Sequence, residues 1–372
     1  MVKSMYAAVA GLRTHQAKMD VIGNNIANVN TFGFKKARAS FRDQFYATMR
    51  GSSEADMIYG GGNPSQVGYG SSLSSIEVDF GTASGAPTGN GMDVMIDGNG
   101  FFMVGKYSEY GFATTSFVNP ATTDPPANLT ALSFTRIGIF NIDGQGWLVD
   151  SLRNHIYGFQ SDSTLTEGMF NIDGSIVPGE MPHIEALFVP WCYYDENGKV
   201  IKNAEGKVER VVWEMDGNAY AVNDGTEDDP TIVGPAGKLA DGTAPAGAEY
   251  IAPMKLSNIS IGDDGLVTGV NQDTGEVVHI GKILLADVPN PNALENTSNG
   301  YFKVKNNTGI VTAESPGHGS TGNLNAGRLE MANVDLAQEF TDMITTQRGF
   351  QANGRIITVT DEMLAELVNL KR

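Results

Sequence analysis

The last forty residues, which run from Asn333-Val-Asp-Leu-Ala-Gln-Glu-Phe340 to Arg372, decide the fold of this chain. Apolar residues recur there at alternating steps of four and three, and this spacing predicts one long amphipathic helix packed along another helix. Asp335 is placed to cap the start of the helix, with Gln338 three residues on to reach back. A helix from Asp335 to Arg372 would be about 55 Å long, which is too long for a small domain to bury. The helix therefore needs a partner.

The first 28 residues carry a second stripe with the same spacing, and the segment Asn24–Gly33 is rich in asparagine and glycine, which suit a chain reversal. Neither helix is stable alone without a packing surface. We expect the two to pair as a coiled coil and to need neighbouring copies of the chain as well; an ordinary intramolecular coiled coil is the alternative. The expected self-assembly residues are Met5, Val9, Leu12, Met19, Ile22, Ile26, Leu336, Phe340, Met343, Phe350, Ile357, Leu364 and Val368.

Composition excludes several classes of function. The formal net charge is −18, with 43 acidic against 25 basic residues, which argues against binding to nucleic acid or to an anionic membrane. There is no apolar run long enough for a membrane span, and the amino terminus lacks the apolar region of a secretory signal. Cys192 is the single cysteine, and the five histidines show no metal-binding spacing. We therefore expect no enzyme activity, no cofactor and no metal.

The middle of the chain has the pattern of antiparallel β structure. Short alternating runs such as Ile76–Phe80 are separated by turn signals such as Asp97-Gly-Asn-Gly100 and Asp195-Glu-Asn-Gly-Lys199. The predicted fold class is α+β and mostly β, with paired terminal helices and nested β domains between them. The expected domains are a helical domain at 1–28 and 334–372, linkers at 29–70 and 318–333, a β domain at 71–162 and 256–317, and an inserted β domain at 163–255.

Residues 30–50 form the one dense basic stretch of an acidic protein, with Lys35, Lys36, Arg38, Arg42 and Arg50. One interpretation is a solvated segment. The other is a seam that meets acidic neighbours, anchored by the phenylalanines of the same stretch.

Three stretches together resemble the bacterial flagellar rod and hook proteins, and the hook members most closely. They are Met5 to Lys35 with its centre Asn24-Asn25-Ile26-Ala27-Asn28, then Asp97-Gly-Asn-Gly-Phe-Phe102 with Phe134-Thr-Arg-Ile-Gly-Ile-Phe140 and Asp143-Gly-Gln-Gly-Trp-Leu-Val149, and finally Leu329 to Asn353. Residues 259–295 are also similar, whereas 163–255 are not recognisable. The family signature residues are Asn24, Asn25, Ile26, Ala27, Asn28, Asn333, Val334, Asp335, Gln347 and Arg348.

The resemblance implies a structural subunit of the flagellar hook, a hollow curved tube that acts as a universal joint between motor and filament. The terminal helices would form the inner tube, the β domain the middle layer, and 163–255 the outer surface. Implied partners are further copies of the chain, the rod and hook–filament junction proteins, the hook cap protein and the type III export apparatus. Export would occur without a cleaved signal, and neither nucleic acid nor membrane insertion is implied.

Two alternatives stay open: the distal rod protein of the same family, which is usually shorter, and a secreted β-rich adhesin that its terminal helices oligomerise. The length of 372 residues and the inserted block favour the hook. Phe41-Arg-Asp-Gln-Phe45 resembles the motif by which some export substrates dock at the export gate, and Phe41 and Phe45 would be its contacts. Two aromatic residues four apart are also typical of a packed helix face.

Overall fold

The computed structural model describes residues 2–52, 54, 60–106, 132–160, 184–194, 199–200, 213–214, 238–239 and 250–370. The chain divides into two compact units, one formed by Met1–Phe80 with Ala332–Arg372 and the other by Gly81–Met331. Long helices occur in the first unit, and the second is built from strands. The predicted α+β, mostly β class is confirmed.

The first unit, which we call the terminal unit, combines both ends of the chain. Its elements are α1 (Val2–Ala27), β1 (Ala37–Asp43), β2 (Tyr46–Arg50), β3 (Ser65–Gly68), β4 (Ser71–Val78) and α2 (Leu336–Asn369). Helix α1 packs along α2 and also against β1 and β4. Strands β1 and β4 pair antiparallel with a bulge between Ser40 and Phe41, and β2 pairs with β3. Part of the expected linker 29–70 is therefore strand that packs on α1.

The second unit, which we call the β unit, contains the remaining strands of the described residues. They are β5 (Gly85–Pro87), β6 (Val94–Asp97), β7 (Phe101–Gly105), β8 (Ser133–Thr135), β9 (Phe140–Ile142), β10 (Leu148–Asp150), β11 (His155–Gln160), β12 (Ile184–Ala186), β13 (Trp191–Tyr194), β14 (Trp213–Glu214), β15 (Lys238–Leu239), β16 (Tyr250–Pro253), β17 (Leu256–Ile261), β18 (Leu266–Asn271), β19 (Val277–Ile283), β20 (Leu285–Asp287), β21 (Glu295–Ser298), β22 (Tyr301–Lys303), β23 (Thr312–Glu314), β24 (Asn323–Ala326) and β25 (Arg328–Glu330).

The strand pairing of the β unit is antiparallel and nested. The main path of its largest sheet among the described residues runs β17-β18-β19-β11-β7-β8-β22-β21. Two of the last strands return to two of the first, because β24 pairs with β6 and β25 pairs with β5. The chain therefore enters and leaves the β unit on paired strands, as the nested prediction requires. Of the expected outer domain 163–255, including the turn at 195–199, most lies outside the described residues.

The core of the β unit forms where the apolar runs of β6 and β7 meet later strands. Phe102 and Phe140 are fully buried, with ring centroids 5.0 Å apart in an edge-to-face arrangement. The turn between β6 and β7 uses Gly98 and Gly100, whose φ angles of 123° and 117° exclude most side chains. The predicted strand, turn and strand at 92–104 is thus confirmed, with the glycines at the positions that need them.

A buried ion pair joins Arg136, which directly follows β8, to Glu330 in β25, the last strand of the β unit. Arg136 Nη1 lies 3.5 Å from Glu330 Oε2, and both side chains are almost completely buried. Arg136 Nη2 also donates to the Gly98 carbonyl at 2.8 Å, while Glu330 Oε1 accepts from the Ala83 N–H at 3.1 Å. Burial lowers the pKa of Arg136, and the carboxylate of Glu330 opposes that shift.

A second polar cluster surrounds Asp150. Its Oδ1 accepts from the N–H groups of Leu152 and Asn154, and its Oδ2 accepts from the Tyr301 hydroxyl at 2.5 Å. Burial raises the pKa of Tyr301, and the hydrogen bond to the Asp150 carboxylate raises it further. The cluster fixes the turn after β10 to β22.

Candidate assembly interface

Asn25 fastens the end of α1 to the strand that follows it. Its buried side chain donates from Nδ2 to the Ala37 carbonyl at 2.9 Å, and its Oδ1 accepts from the Ala37 N–H at 3.0 Å. Asn28 Nδ2 donates to the backbone oxygen and to the side-chain oxygen of Asn24, both at 2.9 Å. An amide is a side chain that can donate and accept at once, so asparagine at position 25 acts as a substitute strand partner for Ala37.

Asn333 does the same where the chain returns. Its Oδ1 accepts from the Lys36 N–H at 2.7 Å, and its Nδ2 donates to the Asp79 carbonyl at 2.8 Å. Because the Asp79 N–H donates to the Lys36 carbonyl, Asn333 extends the β1–β4 ladder by one rung. The signature residues at both ends of the chain thus hold the strands of the terminal unit to its helices.

The start of α2 is capped as predicted. Asp335 accepts hydrogen bonds from the N–H groups of Ala337 and Gln338 at 2.9 and 3.3 Å. The expected second half of the capping box does not form, because Gln338 Nε2 donates forward to Asp342 at 3.3 Å instead of reaching back. Gln338 and Asp342 lie one helical turn apart on the same face of α2, so their side chains are neighbours.

The two terminal helices meet through small residues. A Cβ added to Gly11 would lie 2.5 Å from Asn353 Nδ2, and one added to Gly349 would lie 2.7 Å from the ring of His15. Lys18 forms an ion pair with Asp342 at 3.8 Å. Residue numbers rise along α1 as they fall along α2, so the helices are antiparallel. The predicted pairing of the termini is confirmed, and glycines set its distance.

The face of α2 that α1 covers differs from the predicted stripe. Thr346 and Thr360 are each only 2 % exposed, whereas Phe340 is 50 % exposed and Ile344 58 %. The apolar stripe therefore does not lie in the seam at Phe340, whereas Met343, Ile357 and Leu364 of the same stripe are half-buried. The reason is physical: a close, glycine-lined contact accommodates threonine hydroxyls, which bond to the helix's own carbonyls at Asp342 and Ile356.

The predicted self-assembly residues divide by exposure. Ile22 is buried; Met5, Leu12, Met19, Ile26, Met343, Ile357 and Leu364 are half-buried; and Val9, Leu336, Phe340, Phe350 and Val368 are exposed. Of the signature residues not yet placed, Ala27, Gln347 and Arg348 are exposed and Val334 is half-buried. Their role in self-assembly stays a prediction.

Gly11 and Gly349 are the contact residues that sequence reasoning missed. The four-and-three spacing of the apolar residues also passes through Gly23 and Gly354, yet a Cβ at either of those positions would meet nothing within 4 Å. An isolated glycine inside a helical pattern carries a cost in helix propensity, which is itself a signal of close packing. Four such glycines occur in the two helices, and spacing alone does not tell the two that pack from the two that do not.

Phe41 lies in a strand and Phe45 in the short connection that follows it, and neither is on a helix. Phe41 is in β1 and is partly exposed, while Phe45 lies between β1 and β2 and is 86 % exposed. The interpretation as a packed helix face was therefore wrong, and the export-gate motif stays a prediction.

The described residues offer binding surface more than reactive groups. No group of three or more His, Cys, Asp or Glu among them is placed to hold a metal ion. Neither helix in the described ranges is long and apolar enough to cross a membrane. What the terminal unit presents is a row of exposed apolar side chains, which is suited to contact with another polypeptide.

Comparison with known proteins gives matches at both ends of the chain. The family described as "Flagella basal body rod protein" matches residues 5–35, and "Flagellar basal body rod FlgEFG protein C-terminal" matches residues 325–370. These two ranges contain most of α1, all of α2 and the signature asparagines.

Whole-chain relatives include both rod and hook proteins. The flagellar basal-body rod protein FlgG of Bacillus subtilis is 32 % identical over 373 residues, with 100 % of both chains covered. The flagellar hook protein FlgE of Borreliella burgdorferi is 30 % identical over 445 residues, again with 100 % of both chains covered. A solved structure of a flagellar hook protein from Helicobacter pylori covers 66 % of this chain with 8 % identity and a TM-score of 0.33. On the whole-chain identities, this chain belongs to the family of flagellar rod and hook proteins, the structural subunits of the flagellar axis.

Proposed function

We propose that this protein is the structural subunit of the flagellar hook and that it polymerises into a hollow curved tube which transmits torque from motor to filament. The observation that carries the proposal is the exposed apolar surface of α2. In a single copy α1 covers the threonine and glycine face of this helix, and the apolar side chains are left in water.

Seven of the exposed apolar residues of α2 form two groups, and Phe350 and Val368 are exposed as well. Leu336, Phe340 and Ile344 follow each other at steps of four in the first half of the helix. The second group, which we call the carboxyl stripe, consists of Ile356, Val359, Met363 and Leu367. At 100° per residue the carboxyl stripe lies about 60° from the face that α1 covers, and the first group lies nearly on the opposite side of the helix. Two separate apolar patches on one helix support contact with at least two neighbouring copies, as a tube requires.

The layer arrangement follows the expected domains. The helices at 1–28 and 334–372 form the inner tube, residues 71–162 with 256–317 the middle layer, and 163–255 the outer surface. Residues 29–70 and 318–333 connect the layers, although part of 29–70 adds strands to the terminal unit. In this role the protein is a structural component and not an enzyme.

The partners of such a subunit are further copies of itself, the rod below, the hook–filament junction proteins above and the hook cap during growth. Export of the unfolded chain uses the type III apparatus without a cleaved signal. Phe45 supports this step, because a side chain that is 86 % exposed in the folded protein contributes little to its core.

The second candidate is the distal rod protein, and one observation favours it. The expectation from length was that rod proteins are shorter, yet the Bacillus subtilis rod relative spans the whole of this chain. Length therefore does not separate the two roles. The adhesin alternative has no such support, since the whole-chain relatives are flagellar.

Electron microscopy of basal bodies from the source bacterium, with this gene deleted, tests the proposal. A hook subunit predicts complete rods that end bare. Truncated rods would move the protein to the rod, and intact hooks and filaments would refute an axial role altogether. Complementation with the wild-type gene is the control.

A further inference from the structure

A groove open to solvent lies between α1 and the strands of the terminal unit. Its volume is about 810 Å³, with Tyr6, Val9 and Arg13 of α1 on one side and Phe45 and Leu73 on the other. All four of these apolar side chains are more than a third exposed. The groove is not lined by α2, so it is a face of α1 that the pairing of the two helices leaves open.

The carboxyl stripe reaches beyond the helix that covers the rest of α2. Gly11 lies opposite Asn353 and His15 opposite Gly349, and this register places Val2 near residue 362. Helix α2 continues to Asn369, so about its last two turns extend past the start of α1. An amphipathic helix end with no covering partner in its own chain is suited to a groove on another.

Charge distinguishes the two surfaces and makes them complementary. Arg13 lines the groove, and Arg42 stands at its edge, with Nε 3.4 Å from the hydroxyl of Ser72. Glu362 and Glu366, one helical turn apart, flank the carboxyl stripe. None of these four charged side chains forms an ion pair with another described residue.

We infer that the carboxyl stripe of one copy docks in the groove of the next copy, with Glu362 and Glu366 facing Arg13 and Arg42. The inference rests on the proposed polymerisation and names the surfaces that carry one of its contacts. The two surfaces are different patches of the same chain, so the contact is heterologous. A heterologous contact leaves an unused groove and an unused stripe at each end, and it therefore propagates into a helical array, whereas a self-complementary patch would stop at a dimer.

Charge reversal tests the contact in a strain that lacks the chromosomal gene. The groove variant carries Arg13→Glu and Arg42→Glu, and the stripe variant carries Glu362→Lys and Glu366→Lys. Each alone places like charges together, so we expect at least about tenfold fewer axial structures per cell. Expressed together, the two variants restore assembly, because each stripe then finds a groove of opposite charge on the other variant.

The readout is the number and length of axial structures on isolated basal bodies. They are counted for each variant and compared with those that the wild-type gene restores. Doubling the gene dose of either variant alone is the matched control and must not rescue. A stripe variant that assembles normally by itself overturns the inference, as does a mixture that stays defective; in both cases normal assembly of the wild type leaves the proposed function standing. A wild-type gene that restores no axial structure overturns the two together.

Discussion

Replacement of Glu330 by glutamine should destabilise the β unit severely although it changes only one atom. At 3.5 Å and an effective dielectric constant of ~20, the attraction between Arg136 and Glu330 is about 5 kcal/mol. Glutamine keeps the shape and can still accept the hydrogen bond from Ala83. What it leaves behind is an uncompensated guanidinium in a buried site, and the expected loss in the free energy of unfolding is about 3–5 kcal/mol.

Urea unfolding of the full-length monomer, followed by tryptophan fluorescence, isolates this effect. All three tryptophans, Trp147, Trp191 and Trp213, belong to the β unit. Trp147 packs against Phe188, with ring centroids 5.1 Å apart, so its emission depends on the fold there. With a denaturant slope of about 3 kcal/mol per molar, the midpoint of Glu330→Gln should fall by about 1 M or more.

The double variant decides whether the buried charge is the cause. Arg136→Met combined with Glu330→Gln removes the guanidinium, so it should be more stable than Glu330→Gln alone. A single variant whose midpoint stays near that of the wild type, or a double variant in which the two losses simply add, would refute this account of the pair.

Three further predictions concern other contacts. Gly11→Leu should prevent helix pairing and abolish assembly because its side chain has no room, whereas Gly23→Ala should assemble normally and gain up to about 1 kcal/mol of helix stability; counts of axial structures check both. Asn333→Asp loses the donor that extends the β1–β4 ladder, and we expect a loss of about 1–3 kcal/mol in the stability of that ladder. The loss should appear as faster hydrogen exchange of the ladder amides, and unchanged exchange would contradict the role given to Asn333. Tyr301 has a raised pKa in the folded state, so the stability it contributes is complete below its ordinary value of 10.0 and is lost as pH rises above it; Tyr301→Phe should show less alkaline destabilisation in urea titrations, and identical pH profiles would argue against a hydrogen bond to Asp150.

The ends of the helices were predictable from sequence because their signals are local. The Asp335 carboxylate satisfies the first free N–H groups of α2 whatever the helix packs against. The strand pattern between 92 and 104 was equally local, since the turn demands glycine at Gly98 and Gly100.

The seam between the helices was not predictable, because a periodic pattern shows which face is apolar and not what covers it. The sequence places Phe340 on an apolar face, and the pattern led us to expect α1 there. Helix α1 covers Thr346 instead, because two glycines allow a closer approach of the two helices on that side. The apolar side of α2 is suited to contact with other molecules, and a single chain does not show those contacts.

The hydrogen bonds that Asn25 and Asn333 make to backbone groups were not predictable from the sequence either. Their motif was visible as a resemblance, but its physical purpose was not, because the partners are backbone groups whose position depends on strands that the prediction treated as linker. Polar side chains that satisfy distant backbone groups leave no periodic trace in a sequence.

The return of β24 and β25 to β6 and β5 has a consequence for the order in which the molecule can form. Strands at the two ends of the β unit pair directly, so almost the whole unit must be present before these two strand pairs can form. Contacts between distant residues form slowly, because the loop between them must be ordered first. In a chain that emerges from a narrow channel with its amino terminus first, the β unit would therefore stay incompletely folded during passage. It would complete its folding only after Glu330 had left the channel, so the rate of passage would set the time of folding.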